Sequence, residues 1–161
     1  MATNMDIFPW NNSFATGIDL IDEQHKQLLF LINKLAIHTA SDDNQETLQD
    51  VIQELSDYVE YHFRAEEEIM LGCFDDDPAA QGHLESHHEF EAQIQGFKLE
   101  IKEKPAQEVM HEALAFLVSW LVLHILDTDA WMTKVVCHVQ QGVELEAAKK
   151  LADEEMEGPT R

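Results

Sequence analysis

From Ile18 onward, apolar residues return every third or fourth position: Ile18, Ile21, Leu28, Leu29, Ile32 and Leu35. That is the period of an α-helix with one buried face. His25 falls on the same stripe, one turn after Ile21. The polar stretch SDDNQ at 41–45 interrupts the pattern and offers N-cap side chains to a second helix. That helix turns Leu48, Val51, Ile52, Leu55, Tyr58, Val59, His62 and Ile69 inward, until Gly72 and DDDP at 75–78 break it. A third helix over 79–103 carries Leu84, His87, Phe90, Ile94, Phe97 and Ile101 at helical spacing. Pro105 opens a fourth, at a first-turn position that tolerates proline, with Val109, Leu114, Leu117, Leu121, Ile125 and Val135 on its stripe. Gly142 suits its end. The stretch VELEAAKKLADEEM then reads as helix again, with Glu146 and Lys150 one turn apart.

No segment alternates with the period of a strand, and no glycine-rich phosphate loop is present. Four helices joined by short connections predict an all-α fold, an antiparallel up-down-up-down four-helix bundle with a C-terminal helical extension. The division expected is a bundle over 1–141 and an extension or linker over 142–161.

Charge narrows the choice of partners. The chain carries 32 acids against 10 bases, a formal net charge of -22. Phosphate-bearing partners need a basic patch, so nucleic acid and anionic membrane surfaces are poor partners. No apolar run reads as long enough to cross a bilayer, and the start, MATNMDIFPW, lacks a basic head followed by an apolar stretch. Cys73 and Cys137 match no paired-cysteine motif. The expected setting is reduced and cytoplasmic.

The histidines change the picture more. There are nine: His25, His38, His62, His83, His87, His88, His111, His124 and His138. Placed on the helices, several share a pattern that scattered surface residues would not. His25 lies on the first helix. His62 and Glu66 stand one turn apart on the second, and His83 and His87 one turn apart on the third. His124 is on the fourth, with Asp129 beyond it. Residues one turn apart share a helix face. Every helix therefore brings at least one imidazole to its apolar stripe.

A single buried histidine is ordinarily a hydrogen-bonded core residue. Five, accompanied by two carboxylates, would be costly without partners, at roughly 1–3 kcal/mol for each unpaired group. A metal ion removes that cost by taking the lone pairs. The set exceeds a closed tetrahedral zinc site, and calcium and magnesium prefer oxygen to imidazole. Two adjacent transition ions bridged by the carboxylates fit the count, and iron suits imidazole with carboxylate. Manganese and zinc stay open as occupants.

The stretches GIDLIDEQHKQL (17–28), YHFRAEE (61–67), HLESHHEF (83–90) and WLVLHILDTD (120–129) together resemble the hemerythrin family, its bacteriohemerythrin branch in particular. The resemblance implies a non-haem diiron centre, oxo- or hydroxo-bridged, with dioxygen as its ligand. By matching position, His83, His87 and His124 would hold one iron, His25 and His62 the other, and Glu66 and Asp129 would bridge. Other acids near Glu66 read as a solvated face. Helix geometry alone prefers Asp127, which lies almost above His124, whereas Asp129 points well away at about 100° per residue. The family pattern selects Asp129, and this requires a π-type widening near 124–129. Phe63, Trp120, Leu121 and Ile125 neighbour the ligands and are expected to wall a dry dioxygen pocket. Asp22 is a candidate acceptor for the second ring proton of His25, or simply an exposed acid. His88, rotated about 100° from His87, reads as a surface residue or as one standing behind a ligand, and His38, His111 and His138 read as solvent-facing.

Three functions follow: an oxygen or redox sensor domain, a free oxygen carrier or store, and a diiron oxidase or peroxidase. The histidine-rich set argues against the last, because oxidative diiron bundles are carboxylate-rich. The segment after Gly142 reads either as a capping tail or as a linker helix to an output module of the diguanylate cyclase or chemoreceptor type.

Overall fold

The computed structural model describes residues 7–41 and 44–158. After a 3-10 turn at Asn12–Phe14, α1 spans Asp19–Ala40, α2 Gln45–Cys73, α3 Pro78–Glu100 and α4 Ala106–Leu123. α4 continues through a π-helical turn at His124–Asp129 into α5, Ala130–Gln140, and α6 follows at Leu145–Glu157. Among the described residues there is no strand.

The helix starts follow from local chemistry. Asn44 caps α2 by accepting the Thr47 N–H at 2.9 Å, which leaves one fewer orphan donor at the helix start. Asp77 caps α3 by accepting the Ala79 N–H at 2.9 Å, with Pro78 in the first turn. Pro105 precedes α4 rather than entering it, with φ -54° and ψ 126°. α3 stops at Glu100, short of the expected 103, because the chain turns over 101–104 to reach Pro105.

α1 packs against α2 and α4, and α3 packs against the same two helices, which closes a ring of four rods. Its core is large and apolar, with Leu28, Ile32, Leu55, Phe63, Phe90 and Leu117 all buried. A second, smaller cluster gathers Met70, Phe74, Ala80, Met132, Val135, Val136, Ala148 and Ala152. Gly142, at φ +95°, makes the left-handed turn that folds α6 back onto α5. Polar ties hold α6 there. Trp131 Nε1–H donates to Asp153 at 2.7 Å and Lys149 donates to Asp77 at 3.0 Å. His138, expected to face solvent, is half-buried instead and donates from Nε2 to Glu155 at 2.5 Å. The reading of one helix at a time could not foresee this, because α6 supplies the partner. His88 and His111 are exposed as expected, and His38 is half-buried.

One expectation needs correction. α4, the π turn and α5 form an unbroken 35-residue rod, Ala106–Gln140, long and apolar enough to match a membrane span by length and composition. The stripe reading missed this because it counted one face, whereas outward positions such as Leu123 and Leu126 are also apolar. The same rod buries His124 and Asp129 among the other helices.

Candidate metal centre

Along α2 the order is Phe63, Glu66, Met70, and along the rod it is Ile125, Asp129, Met132. α3 runs the other way, from Ala80 through His83 and His87 to Phe90. In each case the polar residues lie between members of the two apolar clusters. The polar groups therefore form a layer sealed above and below. His25, His62, Glu66, His87 and Asp129 are fully buried, and His83 and His124 are each 5% exposed.

All seven expected residues meet in this layer. Their donor atoms form two groups, each with atoms within 4.8 Å of one another: Glu66, His83, His87, His124 and Asp129, and His25, His62, Glu66 and Asp129. The carboxylates belong to both. Glu66 turns Oε1 toward His25 (3.9 Å) and His62 (3.3 Å), and Oε2 toward His83 (3.3 Å) and His87 (3.2 Å). Asp129 turns Oδ2 toward His25 (3.0 Å) and His62 (3.5 Å), and Oδ1 toward His83 (3.2 Å) and His124 (2.9 Å). Each carboxylate thus presents one oxygen to each histidine group. All five imidazoles face the centre through Nε2.

The π turn makes this possible. His124–Asp129 is π-helical, so the extra residue rotates Asp129 back toward the face of His124. Asp127, which a regular helix would favour, is exposed.

The carboxylates and imidazoles of the layer shift one another's titration. Burial pushes the His62 pKa down, but the carboxylates of Glu66 and Asp129, 3.3 and 3.5 Å from its Nε2, outweigh it and raise it to about 10. His83 behaves alike: burial opposes, the nearby carboxylates of Asp129 and Glu66 prevail, and its pKa rises to about 9. Burial and the neighbouring Asp129 charge push Glu66 up, yet His62 and His83 bring it down to about 2. Asp129 is also held well below its ordinary value, against burial, by His124, His25 and His62. Even so, His62 Nε2, His83 Nε2, both Glu66 oxygens and Asp129 Oδ1 are buried with no hydrogen-bond partner of good geometry. Such atoms are expensive to leave unmade. Nitrogen and oxygen lone pairs converging from four rods fit a pair of transition ions and satisfy these orphans together.

The surroundings sort the other expected residues. Phe63 stacks on His87, with centroids 3.7 Å apart and planes at 3°. Trp120 stacks on His124 at 4.4 Å and 13°. Leu121 and Ile125 are buried in the apolar core next to them. Asp22 does not serve His25: it accepts from the Thr16 N–H and hydroxyl, both at 2.7 Å, and ties the lead-in chain to α1. Two partners escaped the sequence reading. His62 Nδ1–H donates to Gln24 Oε1 at 2.7 Å, and His87 Nδ1–H donates to Glu67 Oε1 at 3.2 Å. Gln24 precedes His25 on α1, so its buried side chain looks misplaced until α2 is packed beside it. Glu67 was one of the acids read as solvated. Clefts of about 610 and 380 Å³ border His83 and His124 and share Ser86, Asp127 and Thr128 in their linings.

Residues 16–136 match the family model of the hemerythrin HHE cation binding domain. The chain belongs to the hemerythrin family. Among its relatives, a bacteriohemerythrin of Clostridium acetobutylicum is 32% identical over 126 residues, which cover 76% of this chain and 96% of the relative. A bacteriohemerythrin of Stenotrophomonas maltophilia is 30% identical over 139 residues, 85% of this chain and 87% of the relative. A hemerythrin-like protein of Naegleria gruberi is 32% identical over 122 residues, 76% of this chain and 87% of the relative. The stretch that matches the hemerythrin model ends before α6.

Proposed function

We propose that this hemerythrin binds dioxygen reversibly at a non-haem diiron centre, as an oxygen or redox sensor domain in the cytoplasm. The observation that carries the diiron reading is the division of each buried carboxylate, one oxygen to each histidine group. His83, His87 and His124 would hold one iron and His25 and His62 the other, with Glu66 and Asp129 bridging. When bound, such a pair supplies the electrons with which dioxygen is held and released. The chain's own part is to orient and to keep dry. The second group has one imidazole fewer, which leaves a place for dioxygen. Phe63, Trp120, Leu121 and Ile125 limit water at the site. With metal bound, His62 and His83 would give up the inward proton that the carboxylates otherwise hold on them, and five neutral imidazoles donate less electron density than a carboxylate-rich set, which favours reversible binding over substrate oxidation.

The sensor reading rests on the link from the site to α6. Trp131 follows closely after Asp129 and is tied to Asp153 of α6. A shift of Asp129 therefore has a short mechanical path to the C-terminal helix, from which an output module of the diguanylate cyclase or chemoreceptor type would take the signal. The second reading, a free oxygen carrier or store, is favoured by the clostridial bacteriohemerythrin, 96% of whose own length is matched by 76% of this chain.

Anaerobic loading followed by metal analysis and absorption spectra through cycles of oxygen exposure tests the proposal. About two iron ions per chain and a visible band that comes and goes with oxygen are expected. Steady consumption of an added reductant would replace the proposal with an oxidase or peroxidase. Hydrogen exchange in α6 separates the other two: oxygen-dependent protection belongs to a sensor, and its absence to a carrier.

A further inference from the structure

The outward nitrogens of the five imidazoles are not treated alike. His62 Nδ1–H meets the neutral amide oxygen of Gln24. His25 Nδ1 is buried without a partner. Among the described residues, only His87 of the five directs its outward nitrogen to a carboxylate, that of Glu67. The ring of His87 is fully buried and lies flat under Phe63, so its plane is set by stacking and its tautomer by the hydrogen bond. Glu67 itself keeps 28% of its side chain exposed. Its position beside Glu66 is a consequence of helix geometry. Glu66 points into the layer, and the next residue, rotated by about 100°, comes round to the outer edge of α3, where His87 shows its back.

A carboxylate accepting from a metal-ligating imidazole fixes the ring and makes the inward nitrogen more basic. We propose that Glu67 is a positioning residue for the metal centre: through His87 it strengthens binding at the three-histidine group and favours the higher oxidation state there. Gln24 orients His62 in the same manner without a charge. The two ends of the centre are thereby made electronically unequal by residues that never touch it. The inference rests on the diiron reading above.

The test uses the full chain loaded with ferrous iron, with Glu67→Ala, Glu67→Gln and, as control, Glu68→Gln. Glu68 is exposed and changes net charge equally without reaching a ligand. Competition against a ferrous chelator reads iron affinity, and spectroelectrochemical titration reads the potential at which each iron(III) takes one electron from the electrode to become iron(II). Glu67→Ala is expected to lower affinity by about 10- to 100-fold, the usual cost of losing such an outer partner. Glu67→Gln keeps an acceptor oxygen but not the charge. It is expected to retain most of the affinity while raising the potential, so that the reduced protein oxidises more slowly in air. Glu68→Gln is expected to change neither. Circular dichroism of the metal-free variants shows that each is folded. Parental affinity and potential in both Glu67 variants, or an equal shift in Glu68→Gln, overturns the role of Glu67. Failure of the unsubstituted protein to hold iron overturns the diiron reading instead.

Discussion

The two apolar clusters on either side of the polar layer are built differently. The larger fills the ring of four helices with bulky side chains, among them Phe63, Phe90, Leu28 and Leu55, all fully buried. The smaller joins the ends of α2 and α3 to α5 and α6, and several of its members are alanines: Ala80, Ala148 and Ala152. Large buried groups remove far more apolar area from water than alanines do. The smaller cluster is supplemented by polar ties at its rim, Trp131 to Asp153, His138 to Glu155 and Lys149 to Asp77. The contrast teaches how differently the two are held. The first cluster fills the bundle with bulky side chains, and the second seats α6 through small side chains and polar ties at its rim.

The strongest challenge to this contrast is a cavity in the main core. Phe90→Ala is expected to cost about 3–5 kcal/mol in urea unfolding, as loss of a fully buried ring does. Loss of structure should be global, in α1 and α3 alike. A cost below about 1 kcal/mol would mean that the larger cluster does not carry the bundle. A smaller effect is expected from Ala152→Leu, which forces a larger side chain into the α5–α6 contact. Overpacking of this kind costs about 1–3 kcal/mol, and faster amide exchange should be confined to α6 and its neighbours. Equal loss of protection in α1 would show that the clusters form one cooperative unit.

The smallest effect sharpens the comparison at the rim. Asp77 caps α3 and receives Lys149 from α6. Asp77→Ala is expected to cost about 1 kcal/mol, the usual value of an N-cap. Its carboxyl titrates below the ordinary 3.8, first because it accepts the Ala79 N–H and then, against burial, because of Lys149. A folded value below the unfolded one means that this stability is present above pH 3.8 and lost as pH falls through the lower folded value. Melting curves at a series of acid pH values should show the deficit of Asp77→Ala narrowing over that range. A constant deficit would show that the ionised carboxylate is not the source.

Much of this arrangement was legible along the chain, for identifiable reasons. The apolar period of α1 and α2 showed their buried faces, and the polar stretch 41–45 offered the N-cap that Asn44 supplies, whereas DDDP at 75–78 read only as a break although Asp77 caps α3. Spacing by one turn placed His62 with Glu66 and His83 with His87. The π turn was legible only through the family pattern, because helix geometry alone pointed to Asp127. Partners across helices were not legible. Asp22 looked suitable for His25 and nothing along the chain singled out Gln24, yet Asp22 holds Thr16 and Gln24 holds His62. Glu67 was hidden among neighbouring acids, since nothing local distinguishes one that meets α3 from one that meets water.

Periodicity, caps and ligand spacing are properties of one helix at a time, so the amino-acid order alone determined the helices, their polar stripe and the residue types that converge. Which oxygen of Glu66 or Asp129 faces which imidazole, which acid stands behind His87, and how α6 lies on α5 were decided only in the folded molecule. Those contacts join residues far apart in the chain, and their distances depend on how whole helices pack, rotate and slide against one another. No local rule carries that information.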